Sequence, residues 1–125
     1  MIVEGVGGLL CPLTERETVA NLMEALNLPV VVVTRRSLGT LNHTLLTLEV
    51  ARQRGLAVAG VVISETTAPR GLAEQTNVEE LKRRLEVPLL AVLPHQPAEQ
   101  DDPTPLAAVD WWRLCRGISG SSSPP

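Results

Sequence analysis

Three apolar runs rich in β-branched residues punctuate the chain: Pro29 to Thr34 (PVVVVT), Ala57 to Ser64 (AVAGVVIS) and Pro88 to Leu93 (PLLAVL). Their hydrophobicity is continuous rather than alternating, as in strands covered on both faces, and predicts a parallel sheet. Helical patterns lie between them. Thr14-Glu15-Arg16-Glu17 has the form of a capping box, with Val19, Leu22, Met23 and Leu26 following at helical spacing. A second helix is predicted from Thr40 to Arg54, with Leu41, Leu45 and Leu48 inward, Arg52 and Arg54 in the last turn and Gly55 as the stop. A third runs from about Leu72 to Leu85, although Asn77 and Glu80 also read as a capping pair that would move its start. Met1-Ile2-Val3 reads as a further, truncated strand ending at Glu4. Helices alternating with strands define an α/β fold with crossover connections.

After Leu93 the composition shifts. Six of the ten prolines (Pro94, Pro97, Pro103, Pro105, Pro124 and Pro125) fall there, around one amphipathic helix expected from about Leu106 to Arg116 that carries Trp111 and Trp112. Residues 117–125 (GISGSSSPP) are expected to be a disordered tail, leaving 1–116 as the folded part. A chain of 125 residues holds one ordinary domain at most. Fourteen acidic against eleven basic side chains and 2% aromatics leave neither a phosphate-tracking face nor base-stacking platforms, which argues against nucleic acid as a partner. No apolar run approaches the roughly 18 to 20 residues of a membrane span. The opening Met1-Ile2-Val3-Glu4-Gly5 is not a signal peptide, so a cytoplasmic location is expected. Cys11 and Cys115 lack metal-ligand spacing and read as reduced thiols.

In an open parallel sheet, ligands collect at the carboxyl ends of the strands. Four segments fall there: Glu4-Gly5-Val6-Gly7-Gly8, Arg35 to Asn42, Ser64 to Gly71, and Pro94-His95-Gln96. A carboxylate at a strand end followed by glycines suits a metal-bound anion, with the acid on Mg²⁺ and backbone N–H groups close to phosphate or carboxylate oxygens. A glycine turn beside a solvated glutamate is the alternative. In Ser37-Leu38-Gly39-Thr40-Leu41-Asn42-His43 a glycine and a hydroxyl open a helix, where free N–H groups favour an anion. Thr40 could equally be a simple N-cap. His43 and His95 lack a neighbouring nucleophile or acid that would mark them as catalytic.

Taken in order, these segments resemble the carboxyl-terminal half of the dethiobiotin synthetases, within the P-loop NTPase superfamily. The matching stretches are Val3-Glu4-Gly5-Val6-Gly7-Gly8-Leu9 with Pro12-Leu13, Leu28 to Val33, and Leu38-Gly39-Thr40-Leu41-Asn42-His43-Thr44-Leu45-Leu46-Thr47. Gly55-Leu56 with Gly60-Val61-Val62, Thr76-Asn77-Val78 with Leu81, and Pro88-Leu89-Leu90 with Leu93-Pro94 continue the register, so that residues 2 to about 96 are covered. The resemblance implies a partial, Rossmann-like P-loop NTPase fold and an ATP- and Mg²⁺-dependent closure of the ureido ring. In that reaction 7,8-diaminopelargonic acid is carbamated by CO₂ or bicarbonate, the carbamate is phosphorylated, and the second amine displaces phosphate. It implies Glu4 as a Mg²⁺ ligand and Gly5, Gly7 and Gly8 against the nucleotide phosphates. Leu38, Gly39, Thr40, Leu41 and Asn42 would receive the substrate carboxylate across a homodimer interface. Ser64, Glu65, Pro94, His95 and Gln96 would flank the adenine. Many relatives have Asn-Asp where this chain has Ser64-Glu65, which leaves adenine hydrogen bonding and selectivity over guanine open.

Phosphoryl transfer in that superfamily uses a GxxxxGK[ST] loop, whose lysine neutralises phosphate charge. The 125 residues contain no such motif, and the one lysine, Lys82, lies in the middle of a predicted helix. The expectation is therefore a half-domain inactive by itself and competent with a separate amino-terminal P-loop half. Alternatives are a non-catalytic interaction or regulatory module on the same fold, and a relative of the cobyrinic acid amide synthases, for whose glutaminase-type domain there is no room.

Overall fold

The computed structural model describes residues 1–65, 67–68, 71–95 and 104–117. Their element order is α1 (Val19–Leu26), β1 (Val30–Arg35), α2 (Thr40–Gln53), β2 (Val58–Ser64), α3 (Leu72–Arg84), β3 (Leu89–Leu93), α4 (Thr104–Ala107) and α5 (Trp111–Gly117). The strands form one parallel sheet in the order β1-β2-β3, as the three apolar runs predict.

Register explains where the core sits. Thr34 pairs with Ile63, and Ile63 with Val92, so these side chains share a face. On that face Ile63 is buried with Val78 and Leu81 of α3, and Leu41, Leu85, Leu89 and Val92 pack around them. A second cluster joins Leu9, Ala20 and Ala51, with Met23, Val50, Leu56 and Val58 against it. Burial on α2 falls on Thr40, Thr44 and Ala51, while Leu41, Leu45 and Leu48 are half-buried. Gly55 stops α2 as expected, at φ +68. On β2, Gly60 sits where a Cβ would come within 2.6 Å of both Leu90 Cγ and the Pro88 carbonyl oxygen. That carbonyl accepts the Val61 N–H at 2.9 Å, so glycine permits the β2–β3 pairing to begin.

Four expectations are corrected. Met1-Ile2-Val3 is not a strand: Met1 and Ile2 are 98% exposed, and the chain is first anchored at Leu9, whose carbonyl accepts the Ala20 N–H at 2.9 Å. Thr14 does not open α1. Its hydroxyl accepts the N–H groups of Arg16 and Glu17 in a local turn, and the helix begins after Thr18, whose N–H and hydroxyl both donate to Asn21 Oδ1. Asn77 is no cap either, because α3 already starts at Leu72 and the buried Asn77 amide donates to the Ser37 carbonyl at 3.0 Å. The tryptophan helix is two short helices. Asp110 Oδ1 accepts the Arg113 N–H at 3.0 Å and restarts the chain as α5, while Trp111 Nε1 reaches back to the Leu106 carbonyl. Gly117 closes α5; the rest of the expected tail, 118–125, lies outside the described residues.

Candidate functional site

The carboxyl ends of β1, β2 and β3 are held together by two adjacent side chains. Arg36 follows β1 and Glu65 follows β2; they form an ion pair through Arg36 Nη1 and Glu65 Oε1, with only 18% and 7% of the respective side chains exposed. The second carboxylate oxygen accepts the His95 backbone N–H at 3.3 Å, which brings in the end of β3. The other guanidinium nitrogens donate to the Glu74 and Gln75 carbonyls in the first turns of α3. Every edge of the fork is thus used, which is what arginine geometry suits and lysine geometry does not. Sequence reading held Arg36 only as part of the Arg35–Asn42 segment and gave it no role of its own. The only available signal was its place one residue beyond a strand, opposite an acid in the same position on the next strand.

Beyond this brace begins α2. Gly39 holds φ +89 as its N-cap, so the turn requires a residue free of a Cβ there. Thr40 is not the N-cap that the alternative supposed. Its hydroxyl points inward, 2.8 Å from Thr34 Oγ1, which also accepts from Thr44 Oγ1 at 2.8 Å. Three hydroxyls therefore satisfy one another under the helix start, where an unpaired one would cost about 1–3 kcal/mol. Outside, Leu38 is 82% exposed and Asn42 and His43 face solvent. Among the described residues the Leu41 and Asn42 N–H groups make no hydrogen bond. Two free donors at the positive end of a helix of 14 residues can hold a carboxylate or phosphate oxygen.

The glycine segment separates into two roles. A Cβ on Gly5 would stand 3.2 Å from Val19 Cγ1, and one on Gly7, at φ +73, would stand 2.8 Å from Cys11 Sγ. Gly7 is required by the chain's own packing, whereas at Gly5 the Val19 side chain would have to give by a few tenths of an ångström. Gly8 has nothing among the described residues within 4 Å of such an atom, so they leave space beside it. The N–H groups of residues 5–8 make no hydrogen bond among the described residues, and Glu4 is exposed. Leu9 and Cys11 tie this segment to α1, through Ala20 and Val19.

Among the described residues no group of three or more His, Cys, Asp or Glu side chains could hold a metal by itself. A lone Glu4 fits Mg²⁺ only in the manner where one carboxylate is supplemented by water and ligand phosphates. Lys82 is engaged with Glu79 at 2.8 Å on α3, and that hydrogen bond is the first cause holding the Glu79 carboxyl below 4.5. Glu49, on the outer side of α2, is lowered in the same way by Arg52. Both pairs lie on exposed helix faces, apart from the strand-end loops. Pro94 and His95 are exposed beside Glu65, and Gln96 lies outside the described residues. The structure therefore brings Ser64, Glu65 and His95 together and places Leu38–Asn42 on the other side of Arg36. Among the described residues no hydrogen bond joins either group to Glu4–Gly8.

A parallel sheet with loops bearing free amides at its carboxyl edge is the build of a P-loop NTPase-like α/β protein. Residues 1–101 match the AAA domain family, and the chain belongs to it. Its resemblance to the dethiobiotin synthetases is equally direct. It is 50% identical over 97 residues to the ATP-dependent dethiobiotin synthetase of Anaeromyxobacter dehalogenans (strain 2CP-1), covering 78% of this chain and 44% of that protein. The enzyme of the same name from Bacillus licheniformis is 50% identical over 93 residues (74% and 40%), and that from Thermodesulfovibrio yellowstonii 43% over 103 residues (76% and 43%). The chain thus spans less than half the length of these curated relatives. Among the described residues no helix is long and apolar enough to cross a membrane.

Proposed function

We propose that this chain supplies the substrate-holding and base-flanking portion of a dethiobiotin synthetase, which closes the ureido ring of dethiobiotin from 7,8-diaminopelargonic acid and CO₂ with ATP. The observation that carries the reading is the likeness to the dethiobiotin synthetases, within a family match that takes in every candidate residue from Glu4 to Gln96. In this reading the Leu41 and Asn42 amides, with the Asn42 side chain, hold the distal carboxylate of the diamine across a homodimer interface. The amides of residues 5–8 lie along the nucleotide phosphates, and Gly8 is the point of closest approach because nothing among the described residues fills its side. Glu4 would hold Mg²⁺ as its one protein carboxylate, and the ion would neutralise charge on the phosphates when bound. Ser64, Pro94, His95 and Gln96 flank the base. Glu65 supports that wall from behind, since its carboxylate is engaged with Arg36 and the His95 N–H.

The 125 residues lack the GxxxxGK[ST] lysine, so we assign turnover to this chain only when it is joined to a P-loop segment. Losing preorganised charge of that kind costs several kcal/mol of transition-state stabilisation. The second reading is a non-catalytic module on the same fold. Release of ADP from MgATP with the diamine and bicarbonate tests both. The chain is assayed alone and fused to the amino-terminal part of the Anaeromyxobacter relative. We expect activity in the fusion only. In that fusion Glu4→Gln lowers Mg²⁺-ATP turnover without changing the melting temperature, and Asn42→Ala raises the KM for the diamine more than that for ATP. Silence of the fusion would favour the non-catalytic module, and turnover by the chain alone would overturn the need for the lysine.

A further inference from the structure

We infer that the Arg36–Glu65 pair couples the loop that opens α2 to the loop that follows β3, so that the two are positioned as one unit. Arg36 is the residue immediately before Ser37, whose carbonyl is pinned by Asn77 of α3 at 3.0 Å. Its guanidinium holds the Glu74 and Gln75 carbonyls of the same helix on one side and the Glu65 carboxylate on the other. Glu65 is fixed in turn at both ends, its N–H on the Leu93 carbonyl at 2.9 Å and its side chain on the His95 N–H. A path of direct contacts therefore runs from Leu38–Asn42 through Arg36 and Glu65 to Pro94 and His95, and it crosses three strand ends and one helix.

Burial gives this path its force. With 7% of the Glu65 side chain and 18% of the Arg36 side chain exposed, neither charge can recover full hydration if the other is removed. Breaking one partner of such a pair is far more costly than replacing both. A displacement of either loop that pulls the pair apart is resisted at the other loop as well. Arg36 and Glu65 are thus positioning residues. The assignment of the two loops to diamine and nucleotide rests on the reading above, whereas their coupling does not and is tested without either ligand.

The test is backbone amide hydrogen exchange, read by NMR on the full 125-residue chain. In Arg36→Met and in Glu65→Gln, exchange at His95 and at Thr40 and His43, whose N–H groups are bonded to the Ser37 and Gly39 carbonyls at the α2 start, should accelerate by about ten-fold or more, with Val61–Ile63 staying within about two-fold. The double variant should accelerate no more than either single variant, and far less than the product of the two, because the same interaction is lost in all three and no unpaired charge is left in the double. Arg36→Lys can still reach Glu65 but cannot span both α3 carbonyls, so it should restore protection at His95 and leave the first turns of α3 fast. Acceleration confined to the loop nearest each substitution, or independent effects in the double variant, overturns the inference. If Arg36→Met does not fold, Glu65→Gln and Arg36→Lys carry the same comparison. In the fused enzyme, Arg36→Met should raise the KM values for ATP and diamine together. A fusion silent even with Arg36 in place would count against the functional reading and leave the exchange result standing.

Discussion

Replacing Gly7 and Gly8 separately by alanine separates a glycine that folds the loop from one that leaves room beside it. At Gly7 the backbone is left-handed, φ +73, which costs a residue with a Cβ about 1–2 kcal/mol. The new Cβ would also stand 2.8 Å from Cys11 Sγ, nearer than real Cβ contacts come, and turning Cys11 aside adds about 0.5–1.5 kcal/mol. Together these give about 1.5–3.5 kcal/mol, or a fall in melting temperature of about 5–20 °C for a domain of this size. At Gly8 nothing among the described residues lies within 4 Å, and the loss should stay within about 0.5 kcal/mol. Thermal unfolding followed by helical circular dichroism reads both. A Cys11→Ala background sharpens the comparison: it removes Sγ but keeps the Cys11 Cβ 3.2 Å away, so Gly7→Ala should recover only its steric share there. In the fused enzyme, Gly8→Ala should lower ADP release despite its unchanged melting point. Equal melting of the two single variants would refute this division of the loop.

Other outcomes follow from the core and the surface. Leu81 is fully buried among Ile63, Val78 and the side chains around them, so Leu81→Ala should lose about 3–5 kcal/mol in denaturant unfolding. Thr34→Val keeps the shape but takes the shared partner from the Thr40 and Thr44 hydroxyls; a loss of about 1–3 kcal/mol is expected, and Thr34→Ser should recover most of it. The Glu49 carboxyl is held below its ordinary 4.5 by the hydrogen bond from Arg52. Its contribution is therefore present above that value and lost as pH falls through the lower folded one, so Glu49→Gln should flatten the acid limb of the melting curve slightly, and less so in high salt.

The sheet was legible in the sequence because each strand is a short, continuously apolar run, with a proline immediately before β1 and β3, and the observed starts at Val30, Val58 and Leu89 follow from those runs. Helix α2 was legible to within one residue, since Gly39 and Gly55 bracket it. Misreadings arose where one local signal had two physical uses. Thr14 and Thr18 both carry a hydroxyl with a suitable partner three residues on, and only the tertiary tie from Val19 to Cys11 decides which of them starts the helix. Met1-Ile2-Val3 has strand composition, but strand structure also requires a neighbour, which composition does not record. At the candidate site the glycine loop and the α2 start were visible as segments. The internal use of Glu65 and Thr40 was not, because their partners Arg36 and Thr34 sit on other elements and are joined to them only by the fold.

Strand order has a consequence in time. Each strand pairs with the one made next, and the first contacts, Val30 with Val58 and Val61 with Leu89, close loops of equal length, each containing one helix. During synthesis the β1–β2 pairing waits until α2 and the start of β2 have emerged, and the β2–β3 pairing waits in the same way for β3. The Arg36–Glu65 contact cannot be completed by His95 until β3 is in place. Among the described strands the strand-end brace is thus the feature whose parts are complete last, once the residue after β3 has been made.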